Sequence, residues 1–143
     1  MKIVQLSIFL ENKAGRLAQV IEILAKTGVN IRALALADTK DFGVLRIIVD
    51  EPDKAVKVLK EANVVVKTTD IIAVEVEDTP GGLDKVLKVF KDEEINIEYM
   101  YAFVEKNNNN AVLVFRVDKT DESIVKLKAK KVKILTAGDV SKI

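Results

Sequence analysis

The chain has 143 residues, 49% of them hydrophobic, and its 23 basic and 22 acidic side chains leave a net charge of +1. That is the composition of a globular chain; its interleaved charges build no field for nucleic acid or acidic membrane, and no apolar run approaches the roughly 18 to 20 residues of a membrane span. It contains no His, Cys or Trp, which excludes Cys–His and Ser–His–Asp nucleophilic chemistry, zinc sites of imidazole and thiolate, and any disulfide framework. No catalytic residue, metal ligand or cofactor is assigned, and the chain is read as a non-enzyme. The absence of Cys suits a reducing cytoplasm, and Met1-Lys2-Ile3-Val4-Gln5 lacks a signal-peptide pattern.

In chain order, Val4, Leu6, Ile8 and Leu10 alternate with Ile3, Gln5, Ser7 and Phe9, which predicts a strand with one face in a core. After a loop at Asn12–Gly15, Leu17, Val20, Ile21 and Leu24 recur at the spacing of one helical stripe, and Gly28 sits where a left-handed residue ends a helix. Val29 to Ala37 reads as a second strand, Asp38 to Gly43 as a turn, and Val44 to Val49 as a third strand closing a hairpin. Pro52 opens a second helix that buries Ala55, Val56 and Leu59, and Val64 to Val66 form a short strand. The order then repeats: strand Ile71 to Glu77, a helix opening near Pro80 and strand Ile95 to Val104. The hairpin Lys106 to Asn110, strand Val112 to Val117, helix Asp121 to Lys130 and strand Val132 to Leu135 follow. Gly138 to Ile143 forms a last helical turn.

The repetition is literal at several positions. Asn12-Lys13-Ala14-Gly15-Arg16-Leu17 returns 66 positions later as Asp78-Thr79-Pro80-Gly81-Gly82-Leu83, and Val29-Asn30-Ile31 returns as Ile95-Asn96-Ile97. After a two-residue insertion in the Asn107–Asn110 hairpin, Val49-Asp50 returns 68 positions on as Val117-Asp118. A fixed offset across separate elements marks a duplicated module. The predicted fold is therefore α+β: two tandem ferredoxin-like βαββαβ units, residues 1–69 and 70–143, packed side by side with an extended antiparallel sheet. The junction at Lys67 to Asp70 lacks a Pro/Gly/Ser linker, so a rigid connection is expected. The sheet face carrying Ile3 and Phe9 is expected to be open, and a homodimer to cover it.

In both copies a Gly-bearing loop leads from the first strand into a helix. N–H groups at a helix start lack internal partners and sit at the positive end of the helix dipole, and Gly15 lets a carboxylate approach them. Asn12 and Asn30 offer amide groups to the same space. An amino acid, with its ammonium and carboxylate, suits this set. Ordinary structural roles compete: Asn12 is also a good turn or N-cap residue, Arg16 a solvated helix residue, and Asp78 reads as a helix cap.

The Asn-x-x-Gly-x-Leu loop, the apolar helix and the Val-Asn-Ile strand start resemble an ACT domain, the small-molecule-sensing module of amino-acid metabolism. The resemblance covers both copies and is close to stand-alone proteins of two such domains around Gln5-Leu6-Ser7-Ile8-Phe9-Leu10-Glu11-Asn12, Asp41-Phe42-Gly43 and Ile97-Glu98-Tyr99-Met100-Tyr101. It implies a free amino acid bound where one domain's first loop faces its neighbour. That places Asn12, Ala14, Gly15, Arg16, Leu17, Asn30 and Ile31 on one wall and Glu98, Tyr99, Met100 and Tyr101 on the other. Core or interface packing competes for the residues at 99–101, and Asp78 puts a second site in doubt. It further implies a regulatory protein that signals to a partner enzyme or regulator. Two other readings compete. RNA recognition motifs share the βαββαβ order but stack bases on aromatic residues in their central strands, and here Phe115 is the one aromatic in those strands. A ligand-free assembly protein pairing through its sheets is the other.

Overall fold

The computed structural model describes residues 1–38 and 41–143; within the turn expected at Asp38 to Gly43, Thr39 and Lys40 lie outside them. It comprises two compact units, Val4–Thr69 and Asp70–Ile143, the latter joined by Met1–Ile3. Lys2 ties the N-terminus to the second unit through ion pairs to Asp70 and Asp121, each at 3.4 Å.

The N-terminal unit runs β1 (Ile3–Glu11), α1 (Arg16–Lys26), β2 (Ile31–Asp38), β3 (Phe42–Val49), α2 (Pro52–Glu61) and the opening of β4 (Val65–Val76). β3 pairs antiparallel with both β1 and β2. Leu6, Ile8 and Leu10 of β1 and Leu45 and Ile47 of β3 meet Val20 and Leu24 of α1 and Ala55 and Leu59 of α2 in one core. Each fully buried Leu or Ile there contributes about 1.5 to 3 kcal/mol. Pro52 takes the first helical position as expected, and Gly28 ends α1 at φ 74°. Leu17, placed on the buried stripe by its spacing, stays exposed because it lies in the opening turn, ahead of the packed face.

The C-terminal unit repeats the plan with the end of β4, α3 (Gly82–Asp92), β5 (Ile97–Ala102), β6 (Ala111–Val117) and α4 (Thr120–Ala129), then adds α5 (Ala137–Val140). β6 lies antiparallel between β4 and β5. Its core centres on Phe90 and Phe115, whose ring centroids are 4.7 Å apart. The hairpin before β6 turns through Asn108 and Asn109, both at positive φ (49° and 68°), a conformation that Asn tolerates better than most side chains.

Three local expectations are corrected. Val64 to Val66 and Ile71 to Glu77 are not separate strands: β4 is one 12-residue strand through Lys67-Thr68-Thr69-Asp70, because β-branched threonines favour extended backbone and no Gly or Pro interrupts them. Val132 to Leu135 narrows to a single bridge, Ile134 to Val74. The left-handed Lys131 (φ 61°) on one side and Thr136, the N-cap of α5, on the other leave room for no more. Finally, the sheet face expected to be open is buried at Ile3, Gln5 and Ser7, while Phe9 remains exposed.

Candidate functional site

In the N-terminal unit the loop between β1 and α1 is set by its own backbone. The N–H of Asn12 donates to the Asp41 carbonyl at 3.0 Å, that of Lys13 to Glu11 at 2.8 Å and that of Arg16 to Lys13 at 3.3 Å. The N-cap of α1 is Gly15, at φ 86°, without a side-chain cap. Asn12 is therefore a turn residue and not the helix cap. Gly15 is required for its left-handed backbone, since a Cβ there would meet nothing within 4 Å. Gln19 closes the first helical bond onto the Gly15 carbonyl at 3.0 Å, so the N–H groups of the opening turn have no intrahelical acceptor. Asn12, Ala14, Gly15, Arg16 and Leu17 are all exposed around this turn.

The other predicted residues lie elsewhere. Asn30 precedes β2 and Ile31 opens it, at the opposite end of the 11-residue α1, about 16 Å along the helix from the loop. Asn30 there donates its N–H to Asp50 Oδ1 at 2.9 Å and accepts from the Asp50 N–H at 3.1 Å, and Ile31 packs against the core. Within the unit the structure does not bring Asn30 to Asn12; the helix between them fixes the separation. Glu98, Tyr99, Met100 and Tyr101 belong to β5 of the C-terminal unit, and a β-bulge divides them. Ile97 opposes Val117, but the register shifts before Tyr99, which opposes Arg116. Cross-strand partners share a face. Met100, opposite Phe115, thus lies on the helix side, whereas Tyr99 and Tyr101 stack at 6.5 Å on the other face. Glu98 pairs with Arg116 at 3.2 Å. The same bulge follows Ile31 in β2, so the duplication extends to a register defect that alternation alone does not reveal.

A cleft of about 640 Å³, marked by no sequence pattern, lies between the end of β1, the exposed side of α1 and the α2–β4 loop. Phe9, Phe42, Val64 and Val65 supply its apolar wall, and Glu11, Arg16, Gln19 and Glu22 its polar one. Of the predicted site residues only Arg16 lines it. Arg16 donates to Gln19 Oε1 at 3.2 Å and lies 3.9 Å from Glu11. The Glu11 carboxyl is held below its ordinary range, first by its hydrogen bond from Lys13 and then by the Lys13 and Arg16 charges. Glu22 is likewise lowered by its bond to Lys26.

A smaller cleft, about 330 Å³, occupies the same place in the C-terminal unit. Every residue lining it has a counterpart in the first cleft at the 66- or 68-residue offset. Yet where the first has Phe9, Phe42 and Val65, the second has Glu75, Asn110 and Lys133. These three are bonded together: Glu75 accepts from Lys133 Nζ at 2.8 Å, Asn110 Nδ2 at 2.7 Å and Asn107 Nδ2 at 2.8 Å. The Glu75 side chain is only 3% exposed. Burial alone would raise its carboxyl, but the Lys133 and asparagine bonds outweigh it and hold the group below its ordinary range. The pairwise offset was the available signal; it becomes legible only once the cleft says which positions to compare.

The C-terminal loop also departs from expectation at Asp78. The N-cap of α3 is Gly81, at φ 84°, with no side-chain cap, and Asp78 pairs with Lys106 instead. Gly82, the counterpart of Arg16, sits so close to the Glu77 carbonyl that no side chain fits. The loop that carries Arg16 toward a cleft in one unit is closed down in the other. Among the described residues no group of acidic side chains could hold a metal ion, and no helix is long and apolar enough to cross a membrane.

Two split βαββαβ units, each opening its first helix on a left-handed glycine, define a tandem pair of ferredoxin-like domains. The profile of the ACT domain pair family matches residues 1–143, and the chain belongs to that family, one of amino-acid-binding regulatory domains. It is similar to a protein of solved structure from Bacteroides thetaiotaomicron, with 48% identity over 100% of this chain and 98% of that one and a TM-score of 0.93. It shares its fold with the regulatory subunit of aspartate kinase from Thermus thermophilus in its ligand-free form, at 16% identity, 90% coverage of both chains and a TM-score of 0.64. The corresponding subunit from Thermus flavus matches at 16% identity, 88% coverage of both and 0.59. No curated protein matches the chain significantly.

Proposed function

We propose that this chain is a non-catalytic sensor that binds a free amino acid and passes its occupied state to a partner enzyme or regulator of amino-acid metabolism. The observation that carries the reading is the ACT domain pair spanning residues 1–143. The open β1–α1 turn of the N-terminal unit, with Arg16 beside a cleft of small-molecule size, supports it. Asn12, Ala14, Gly15, Arg16 and Leu17 are the contact residues of that loop, and Glu98, Tyr99, Met100 and Tyr101 of β5 are further candidate contacts. Signalling follows from differential affinity of the ligand for two conformations. The working form is a homodimer in the cytoplasm.

A thermal-shift screen of the twenty amino acids tests the reading. Ligand at 100 times its Kd adds about 2.7 kcal/mol of stability when it binds only the folded state, which in a chain this size raises the melting temperature by roughly 5 to 15 °C. A flat response to all twenty at millimolar concentration would favour an assembly protein without a ligand. That second reading draws on Leu34 and Leu36, exposed on β2, which ends the strand order of its unit.

A further inference from the structure

The two clefts occupy one position in the repeat and have opposite chemistry. In the C-terminal unit the polar groups of the cleft are already paired: the buried Glu75 carboxylate accepts from both the Lys133 ammonium and the Asn110 amide. A polar ligand entering there would have to break bonds already made. In the N-terminal unit the corresponding side chains are Phe9, Phe42 and Val65, apolar and 40%, 61% and 61% exposed, with the Lys67 ammonium 5.7 Å from the Phe9 ring centroid. Three large apolar side chains this exposed beside a cleft of about 640 Å³ are the kind of surface a ligand's own apolar group covers. The rim across from them is charged. Arg16 is a planar donor fork suited to a carboxylate, and Glu11 and Glu22 suit an ammonium; their pairings with Lys13 and Lys26 are exposed and exchange with water at little cost, unlike that of the buried Glu75.

We infer that the N-terminal cleft takes an amino acid with a large apolar side chain, aromatic or branched aliphatic, one per chain, and that the C-terminal cleft is closed to ligands by its internal ion pair. This rests on the amino-acid-binding reading above and adds to it the side-chain class, the location and the stoichiometry. The apolar side chain lies against Phe9, Phe42 and Val65, its carboxylate toward Arg16 and its ammonium toward Glu11 and Glu22. Discrimination follows because an apolar side chain removes that wall's surface from water, whereas a polar one gives up its own hydration to do so.

Calorimetric titration of the full chain with L-phenylalanine, L-leucine, L-serine, L-aspartate and L-lysine tests it, with phenylacetate as a probe that keeps the ring and carboxylate but lacks the ammonium. The expected result is one site per chain and at least tenfold tighter binding of phenylalanine or leucine than of the three polar amino acids. Phe9→Glu, which installs the residue found at the equivalent place in the other unit, should weaken that binding at least tenfold. Phe42→Asn, at an exposed position, should do the same, with circular dichroism showing that both variants are folded. Asp78→Ala, in the C-terminal loop, should leave it unchanged. Tighter binding of a polar amino acid, two sites per chain, or affinity indifferent to both variants would overturn the inference while the sensor reading stands. Failure of all amino acids alongside binding of phenylacetate that is lost in Phe9→Glu would overturn the sensor reading and keep an apolar-carboxylate site. Failure of every probe would overturn both.

Discussion

Gly82→Ala is expected to destabilise the protein by about 3 kcal/mol, the upper part of the range for forcing a methyl group into a packed position. A Cβ on Gly82 would collide with the Glu77 carbonyl, which belongs to the backbone just beyond β4 and cannot swing aside as a side-chain end would. The usual gain of about 1 kcal/mol from replacing a helical glycine with alanine is too small to reverse the sign. Gly15→Ala and Gly81→Ala form the contrast: each has open space around the new methyl group but a φ near +85°, so each should cost only the roughly 1 to 2 kcal/mol of a left-handed alanine. Urea titration of the three variants measures the order. If Gly82→Ala unfolds at the wild-type midpoint, α3 does not start against that carbonyl.

Glu75→Ala should cost about 2 to 3 kcal/mol and flatten the acid limb of the stability profile. Removing the carboxylate leaves the Asn107 and Asn110 amides, both bonded to it, without their acceptor in a partly buried place. The loss stays below that of a fully buried ion pair because Lys133, 62% exposed, can turn its ammonium to water. The pH dependence follows from the direction of the Glu75 shift. A carboxyl held below its ordinary value in the folded state stabilises at pH above that value, and the contribution disappears as pH falls through the folded-state value. Wild-type and Glu75→Ala stabilities should therefore differ by a constant amount near neutrality and converge below about pH 4.5, the ordinary carboxyl range. Denaturation midpoints from pH 7 to pH 3 would show it; a difference that widens toward acid would refute the assignment.

Much of this protein was legible in its sequence, because the information needed was local or periodic. Alternation at Leu6, Ile8 and Leu10 and the helical spacing of Val20 and Leu24 state which faces go inward, since burial of apolar groups is what the period records. The 66-residue offset announced two βαββαβ units, and Gly15, Gly28 and Gly81 marked backbone turns that do adopt positive φ. Features that depend on what stands across from a residue were decided by the tertiary structure alone. The bulges after Ile31 and Ile97 reassign every following side chain to the other face, since a strand's period is two and one extra residue inverts it. Asp78 took an ion pair with Lys106 instead of a cap, because a left-handed glycine already starts α3. Asn12 and Asn30, each within three residues of a left-handed glycine, were separated by the length of α1. The difference between an open apolar cleft and one filled by Glu75 and Lys133 resides in side chains brought together from β1, β3 and β4 in one unit and from β4, the β5–β6 hairpin and the segment after α4 in the other. Chain folding over long sequence separations sets those juxtapositions, and no local pattern encodes them.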